Sequence, residues 1–307
     1  MTDALFRIGK KGIHQNLDEF ASYICSHLGR IGIKAAQKGI TNIIMDSGRG
    51  VINCLYGLAI EVVKKKNEDV AVYSGQCLAD IAIDAAQNNL LQIAENAATM
   101  LYTISHKAVK SKMKFATSLT YQLGRIGHET VEQGFEYPNF IPTHLSHLGA
   151  DAADRGLEET SLEASNILCG MGRRAVEKGL KVALESITRC LEDVGKKSIE
   201  NSLIETTRSV SNGLCEIAIM CNRQSLDAMS RRALVFFIGL GDRATLKNNE
   251  EIKRVIASQI NEVERKVGAD FVNIGFNYMP SYFSNRQDIQ QVLTEFQQFY
   301  ENEKSKL

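Results

Sequence analysis

The stretch Leu168-Cys-Gly-Met-Gly172-Arg-Arg-Ala175-Val-Glu-Lys-Gly179-Leu180 carries the pattern that decides the fold, because this pattern returns about every 23 residues. With Gly172 as the anchor, or position zero, the pattern has apolar residues at minus four and minus one. It has small residues at zero and plus three. The anchors of the successive copies are Gly9, Gly32, Ala59, Ala82, Ser105, Gly127, Gly149, Gly172, Gly195, Ala218 and Gly241. A fixed period of this length is the signature of a repeat array.

The spacing of apolar residues within one unit predicts a helix. Apolar or small residues fall at zero, plus 3, 4, 8, 11, 12, 15, 19 and 22, which follows the 3.6-residue period of a helical face. Few helix breakers interrupt the roughly 18 residues between caps, which favours one helix per unit with successive helices antiparallel. Two units then form a layer of about 46 residues. The alternative is a pair of short helices of about nine residues in each unit.

The residue at plus seven marks the predicted end of each helix. The set is rich in Gly and Asn, which tolerate a left-handed backbone best: Asn16, Gly39, Lys66, Asn89, Lys112, Gly134, Gly156, Gly179, Ser202, Ser225 and Asn248. The next residue is apolar in nine of the eleven copies, as a Schellman motif requires for its contact with the last turn. We therefore expect a left-handed C-cap in every unit.

The small residues at zero and plus three predict the tightest contact between helices. Glycine in a helix interior costs about 0.5 to 1 kcal/mol relative to alanine, so its repeated use at the anchor needs a compensating gain. Two small residues one turn apart let a neighbouring backbone come close, and the packing gained can offset this cost. This row should form the helix–helix seam.

The two-unit layer resembles HEAT and armadillo repeats, whose two- or three-helix units run about 40 to 47 residues. The resemblance covers residues 1–248 and is generic, because the proline, aspartate and arginine landmarks of the typical HEAT unit are absent. It implies an all-α fold: a right-handed α-solenoid of about eleven 23-residue helical units, followed by a helical C-terminal cap.

Two places depart from the repeat. Four residues are added around Asp46-Ser-Gly-Arg-Gly50, about one helical turn, which predicts a loop or kink that bulges from the stack. Glycines with serine and arginine can also form an anion-binding nest, but no strand precedes them, and a plain turn is the favoured interpretation. The second departure lies at residues 135–143, where Pro138 and Pro142 predict an extended linker before a helix that starts near Thr143.

The repeat fades after Asn249, so we expect a repeat domain at 1–248 and a helical cap at 249–307. A polar helix at 250–267 precedes an aromatic segment at 271–283, and Ser284 opens a capping box for a last helix to about Glu303. Eight of the 21 aromatic residues lie between 271 and 300. The main interpretation is a terminal element that covers the last open face of the stack. The alternative is an aromatic docking surface for a partner.

Composition and motifs favour a protein without catalytic activity. Lys plus Arg equals Asp plus Glu at 36 each, so no global field steers the chain toward nucleic acid or an anionic membrane. The sequence contains no GxSxG, P-loop, HExxH or dinucleotide fingerprint, and we predict no cofactor. The seven cysteines are an odd number with no CxxC pair, which predicts mostly small buried hydrophobic side chains in a reducing compartment.

The most metal-like group is His144, His147, Asp151 and Asp154, whose spacings of three and four place all four on one helical face. By the repeat register that face points away from the core. Four side chains along one exposed helix cannot all reach one ion, so a solvated polar face is expected and no metal site is predicted. Arg173-Arg174 and Arg231-Arg232 could form a basic stripe, although solvated faces are the default in a neutral chain.

These features favour a non-enzymatic helical-repeat scaffold that mediates protein–protein interaction with a protein partner. The alternatives are a solenoid with a local face for nucleic acid or a small ligand, catalytic in one version, and an assembly that forms homo-oligomers through its end caps. No apolar run is long enough to span a bilayer and the start lacks the apolar core of a signal peptide, so we expect a cytoplasmic protein. The terminal Ser305-Lys306-Leu307 matches a peroxisomal address if the source is eukaryotic.

Overall fold

The computed structural model describes residues 1–46, 50–135, 140–282 and 289–305 of the chain. Over these residues the protein is all-α, with no strand. The helices are α1 (Thr2–His14), α2 (Asp18–Gln37), α3 (Thr41–Met45), α4 (Val51–Lys65), α5 (Glu68–Gln87), α6 (Leu91–Lys110), α7 (Ala116–Glu132), α8 (Phe140–Asp154), α9 (Glu158–Glu177), α10 (Lys181–Glu200), α11 (Ile204–Arg223), α12 (Asp227–Leu246), α13 (Glu250–Val267), α14 (Ala269–Tyr282) and α15 (Ile289–Lys304).

Each anchor lies within a single helix, so the one-helix interpretation of the repeat is confirmed. A typical unit holds one helix of 20 residues, as α9 and α10 show. Two short helices per unit would need a break near the anchor. No described unit has one there, because the apolar stripe runs through the anchor without a breaker. The third unit differs, since the five-residue α3 precedes its main helix α4.

The chain divides into two compact units, which are much larger than the 23-residue repeat units. The first is Met1–Leu148 and the second is Gly149–Leu307. In the first, α2 packs on α5 and α5 on α7, while α1 packs on α4 and α4 on α6. In the second, α9 packs on α11 and α11 on α13, while α10 packs on α12. Each unit is therefore a double row, in which a helix contacts the next helix along the chain and the one after it. This is the packing expected of an α-solenoid. The proposed boundary at residue 248 stays a prediction.

Left-handed caps end the repeat helices, as the plus-seven residues predict. All eleven of these residues have a positive φ, between 51° and 76°. In each unit the amide N–H of the following residue donates to the carbonyl of the small residue at plus three. Leu180 N–H, for example, donates to Ala175 O at 2.9 Å. This six-to-one bond defines the Schellman motif, so the predicted cap is confirmed.

Two units lack the apolar residue after the cap, and both carry asparagine there instead. The side chain of Asn67 accepts from Val70 N at 3.2 Å, and that of Asn249 accepts from Ile252 N at 3.1 Å. In these copies the residue caps the helix that follows rather than packing against the helix that ends. The asparagine that replaces the apolar residue in these two units is thus an N-cap of the following helix.

The anchors form the seam between helices, as their small size predicts. A methyl group at Gly172 of α9 would lie 2.5 Å from Cδ1 of Ile217 in α11 and 3.3 Å from Cγ2 of Ile187 in α10. One small residue therefore receives side chains from both the next helix and the one after it. Packing at this density explains why the chain accepts glycine inside a helix.

The inserted residues near Asp46 break the helix of their unit, as predicted. The short helix α3 packs against α2, α4 and α6, and its Ile44 is fully buried. A methyl group at Gly50 would lie 2.5 Å from the carbonyl oxygen of Ile44, so only glycine fits the start of α4. The packed helix α3 precedes the predicted bulge, which falls on residues 46–50 and stays a prediction. Residues 47–49, where the nest was considered, lie outside the described residues.

Helix α8 begins at Phe140 rather than near Thr143. Pro142 lies in its first turn, where the missing N–H of proline costs nothing because no helical acceptor is available there. The prediction treated this proline as part of the linker, whereas it belongs to the helix. Residues 136–139, with Pro138, lie outside the described residues.

The C-terminal helices pack against the last helices of the repeat. Helix α13 has the predicted bounds, and the aromatic segment, for which no helix was predicted, forms α14. Helices α14 and α15 pack on α12 and α13. Phe276, Phe296 and Tyr300 are buried, whereas Tyr278 is 44% exposed. The capping box at residues 284–287 lies outside the described residues.

Candidate functional site

The structure does not bring His144, His147, Asp151 and Asp154 together. The ring of His144 stacks on Tyr102 of α6, with centroids 4.1 Å apart and planes 5° apart. Its Nε2 is buried and has no hydrogen-bond partner among the described residues. Burial, with a smaller effect of the His147 charge, lowers the pKa of His144 to about 4. The prediction that this face is solvated is therefore wrong for His144, because its ring packs against Tyr102 of α6.

The other end of the same helix face is engaged elsewhere. Asp154 accepts a hydrogen bond from Asn201 Nδ2 at 3.0 Å and pairs with Lys197 Nζ at 3.4 Å. His147 is exposed. Within the described ranges, no three His, Cys, Asp or Glu side chains are placed to hold a metal ion.

The seven cysteines are buried and form no disulfide bond among the described residues, as their pattern predicts. Burial raises the pKa of the Cys25 thiol to about 11 and that of Cys169 to about 12. The thiolate is the nucleophilic form, so these side chains are not activated for covalent chemistry. Their role is packing, and Cys169 places its sulfur 3.5 Å from the carbonyl oxygen of Ser209 in α11.

The two arginine pairs do not form a free basic stripe. Each of the four side chains contacts a neighbour: Arg173 pairs with Glu216, Arg174 with Glu177, Arg231 with the Tyr278 ring and hydroxyl, and Arg232 with Glu185. Three of the four arginines pair with glutamates, and this pairing cancels most of the local positive field that a nucleic-acid surface would need.

A groove of about 380 Å³ lies between α9 and α11. It is lined by Leu162, Asn166 and Cys169 of α9 and by Ser209, Asn212 and Gly213 of α11. Gly213 stands five residues before its anchor, where other units carry larger side chains such as Gln122 or Ile167. A methyl group at Gly213 would collide with the sulfur of Cys169. The missing side chain therefore leaves room for the Cys169 sulfur, which packs directly against Gly213.

The carboxamide oxygens of Asn166 and Asn212 each accept a hydrogen bond from another side chain. Ser165 Oγ donates to Ser209 Oγ at 3.1 Å, and Ser209 Oγ donates to Asn166 Oδ1 at 2.6 Å. On the next helix of the row, Gln259 Nε2 donates to Asn212 Oδ1 at 2.5 Å. Among the described residues no acceptor is bonded to Nδ2 of either asparagine. Both side chains are exposed.

The charges at the rim of the groove are paired. Arg173 Nη1 lies 2.9 Å from Glu216 Oε2, and Arg208 Nη1 lies 2.9 Å from Glu205 Oε1. The groove is therefore close to neutral and offers hydrogen-bond donors rather than a net field.

The groove was not predicted from the sequence, because each of its residues alone is an ordinary member of a helix. The signal was present in the repeat register. Asn166 and Asn212 both stand six residues before their anchors, in helices that are adjacent in the row, and Gly213 is a glycine at neither an anchor nor a cap. The more specific signal is Gly213, because no other unit has a glycine five residues before its anchor.

Comparison with known proteins assigns no family. No protein-family model matches the sequence, and the search of curated proteins gives no match. One solved structure, a circular tandem repeat protein with novel repeat topology and enhanced subunit contact surfaces, aligns over 98% of this chain and 88% of its own. Its TM-score is 0.43 and its sequence identity 13%, so the all-α assignment rests on the helices themselves. Of the helices described, none is both long and apolar enough to cross a membrane.

Proposed function

We propose that this protein is a non-enzymatic helical-repeat scaffold that binds another protein through the α9–α11 groove. The supporting observation is the pair of asparagines whose oxygens are bonded internally and whose N–H groups are unused. Donors that are fixed before binding lose little conformational entropy when a partner arrives. The raised thiol pKa values and the paired arginines offer no comparable support for a catalytic or nucleic-acid face.

The first test compares the proteins that the immobilised wild type captures from a cell lysate with those captured by two matched variants. Asn212→Arg places a long charged side chain in the groove. Gln76→Arg makes the same change of charge at the equivalent position of α5, in the other unit. We expect at least one protein to be captured by the wild type and by Gln76→Arg and lost with Asn212→Arg. The captured protein is then purified, and its affinity for all three forms is measured by calorimetry.

The salt dependence of that affinity separates the proposal from the nucleic-acid alternative. A groove with paired charges should bind its partner almost equally at 50 and 500 mM salt, because few counterions are released. Equal capture of every protein by all three forms would contradict the proposal. Binding of nucleic acid that weakens steeply with salt would favour the alternative instead.

A further inference from the structure

We propose that the exposed face of α2 binds an amphipathic helix of another protein, at a surface separate from the α9–α11 groove. This surface, called the leading face, consists of Phe20, Ile31 and Lys34 of α2 and of Met1, which precedes α1. The helices that pack closely on α2 are α1, α3, α4 and α5. In the row formed by α2, α5 and α7, the leading face is where an earlier helix of the row would lie.

The contacts inside the repeat show what such a helix must offer. Five anchor glycines each receive two side chains, one from eight residues before the anchor of the next unit and one from the residue just before the anchor of the unit after that. The pairs are Ile24 and Leu58 at Gly9, Val51 and Ile81 at Gly32, Ala164 and Val194 at Gly149, Ile187 and Ile217 at Gly172, and Val210 and Leu240 at Gly195. The residue before each anchor therefore packs into the space left by a small residue on the preceding helix of its row.

At the leading face the equivalent side chains have no small residue to pack against. The nine later units bury the residue before the anchor completely, whereas Ile31 is partly exposed. Met1, eight residues before the anchor of α1, is 84% exposed. Phe20 is 43% exposed, although its equivalent in α5, Val70, is fully buried. A helix with one small residue on its apolar face would receive both Met1 and Ile31.

Polar contacts along the rows give a second requirement. The residue two after an anchor contacts the residue five after the anchor two units earlier. The pairs are Asp84 with Gln37, Glu129 with Gln87, Lys197 with Asp154 and Arg243 with Glu200. Where the later residue is a cation, the earlier one is an acid. Lys34 is the cation at this position of α2, and it is exposed and has no acidic partner among the described residues. The partner helix should therefore carry an acid five residues after its small residue.

The same contacts argue against a second copy of this chain as the occupant. All eleven anchors are buried, so none of them is open to Ile31 of another copy. The last anchor, Gly241, lies against Phe296 of α15. Pairing of two leading faces would place the exposed cations Arg30 and Lys34 on both sides of the contact, and opposed like charges are costly. The leading face therefore fits a helix from a different protein.

The probe for this surface is a blocked peptide of residues 181–203, the sequence of α10 and its cap. In the folded protein α10 offers Gly195 to Leu240 and Glu200 to Arg243. An aliphatic side chain and a cation at these two positions are what the leading face also presents. The peptide is thus a helix with the required small residue and the required acid.

Binding is measured with the full-length protein. Isolated helices of this length are marginal in water, so a hydrocarbon staple joins positions 189 and 193 of the peptide, which are exposed in the folded protein, and circular dichroism checks its helicity. Fluorescence anisotropy gives the affinity, and the methyl NMR signals of Ile31 locate the contact. We expect these signals to shift. We expect the Gly195→Leu peptide to bind at least about tenfold more weakly, because its side chain fills the space that Ile31 needs.

Charge reversal tests the second contact. We expect Lys34→Glu to weaken binding of the peptide about three- to tenfold, and the Glu200→Lys peptide to restore the affinity with this variant. Lys114→Glu makes the same charge change at another exposed residue of the first compact unit and should leave the affinity unchanged. Asn212→Arg, which alters the groove, should bind the peptide as the wild type does.

The inference is wrong if the Ile31 signals do not move, if the Gly195→Leu peptide binds as well as the parent peptide, or if Glu200→Lys gives no recovery with Lys34→Glu. Loss of peptide binding in Asn212→Arg would place the peptide in the groove and would contradict the inference too. A wild-type dimer in sedimentation that Ile31→Lys converts to a monomer would mean that a second copy covers the leading face, which also contradicts it.

Discussion

At the residue scale, the position five residues before the anchor places its side chain against a neighbouring helix. Cys77 occupies it in α5 and packs its sulfur against Gly29, and His144 occupies it in α8 and packs against Tyr102. An apolar or aromatic side chain suits such a place, and Phe236 stands there in α12. An imidazole must stay neutral because its buried Nε2 has no partner to stabilise a charge.

His144 should therefore make the protein less stable in mild acid. Its pKa is about 4 in the folded state and about 6.5 when the chain is unfolded. As the pH falls through 6.5 the unfolded chain takes up a proton that the folded protein does not, so stability is lost between pH 6.5 and 4. Between pH 7.5 and 5.0 we expect a loss of about 1 kcal/mol, after allowing for partial exposure of the ring.

The replacement His144→Phe keeps the stacked ring and removes the titration. Urea unfolding followed by circular dichroism, at pH 7.5 and 5.0, should show a smaller pH dependence for this variant than for the wild type. His147→Gln removes a neighbouring exposed imidazole and should keep most of the dependence. An identical pH dependence in the wild type and His144→Phe would show that another group is responsible. The pH range stays above the usual titration of carboxylates, whose effects are common to all three proteins.

At the element scale, the left-handed cap that ends each helix is the most regular feature of the chain. The free-energy cost of its positive φ depends on which residue occupies it. Gly179 adopts φ of 68° without strain, whereas Ser202 holds φ of 57° with a Cβ. A methyl group at Gly179 would meet no other atom within 4 Å, so a substitution there changes only the backbone preference. The two positions form a natural pair for a test.

We expect Gly179→Ala to lower the free energy of unfolding by about 1 kcal/mol and Ser202→Gly to raise it by about 0.5 to 1 kcal/mol. Both residues lie in the second unit, so shifts in the same urea transition can be compared directly. The signs should be opposite. A destabilising Ser202→Gly would mean that the serine side chain contributes more than its backbone costs.

The sequence was sufficient for the helices and their ends, because a local signal determines them. The apolar period specifies the helix, and Gly179 or Asn248 specifies where it stops. It was insufficient where a contact between distant residues decides the outcome. His144 looked exposed from its own helix, and only the position of Tyr102 in α6 shows that it is covered. The groove likewise depends on Gly213 meeting Cys169, which no short stretch of sequence contains.

At the scale of the whole molecule, the role of residues 249–307 is the part of the architecture that most needs a test. The anchor of α12, Gly241, lies against Phe296 of α15, and Gly275 of α14 lies against Leu234 and Ile238 of α12. Tyr300 donates to Glu264 of α13, and Lys304 Nζ lies 2.5 Å from the same carboxylate. These contacts continue the seam of the repeat with residues that do not follow its pattern, which is what a cap does.

If these residues are a cap, loosening them should expose α12. We expect Phe296→Ala to destabilise the protein by about 3 to 5 kcal/mol, because the ring is fully buried against the anchor of that helix. Hydrogen exchange followed by mass spectrometry should then show faster exchange in α12 as well as in α15. Asn277→Ala, at an exposed side chain of α14, is the control and should leave α12 protected. An independent C-terminal domain would instead unfold in a step of its own, with exchange in α12 unchanged by Phe296→Ala. Light scattering on the same variant separates the two further, because an uncovered α12 presents an apolar seam and should make the protein self-associate as its concentration rises.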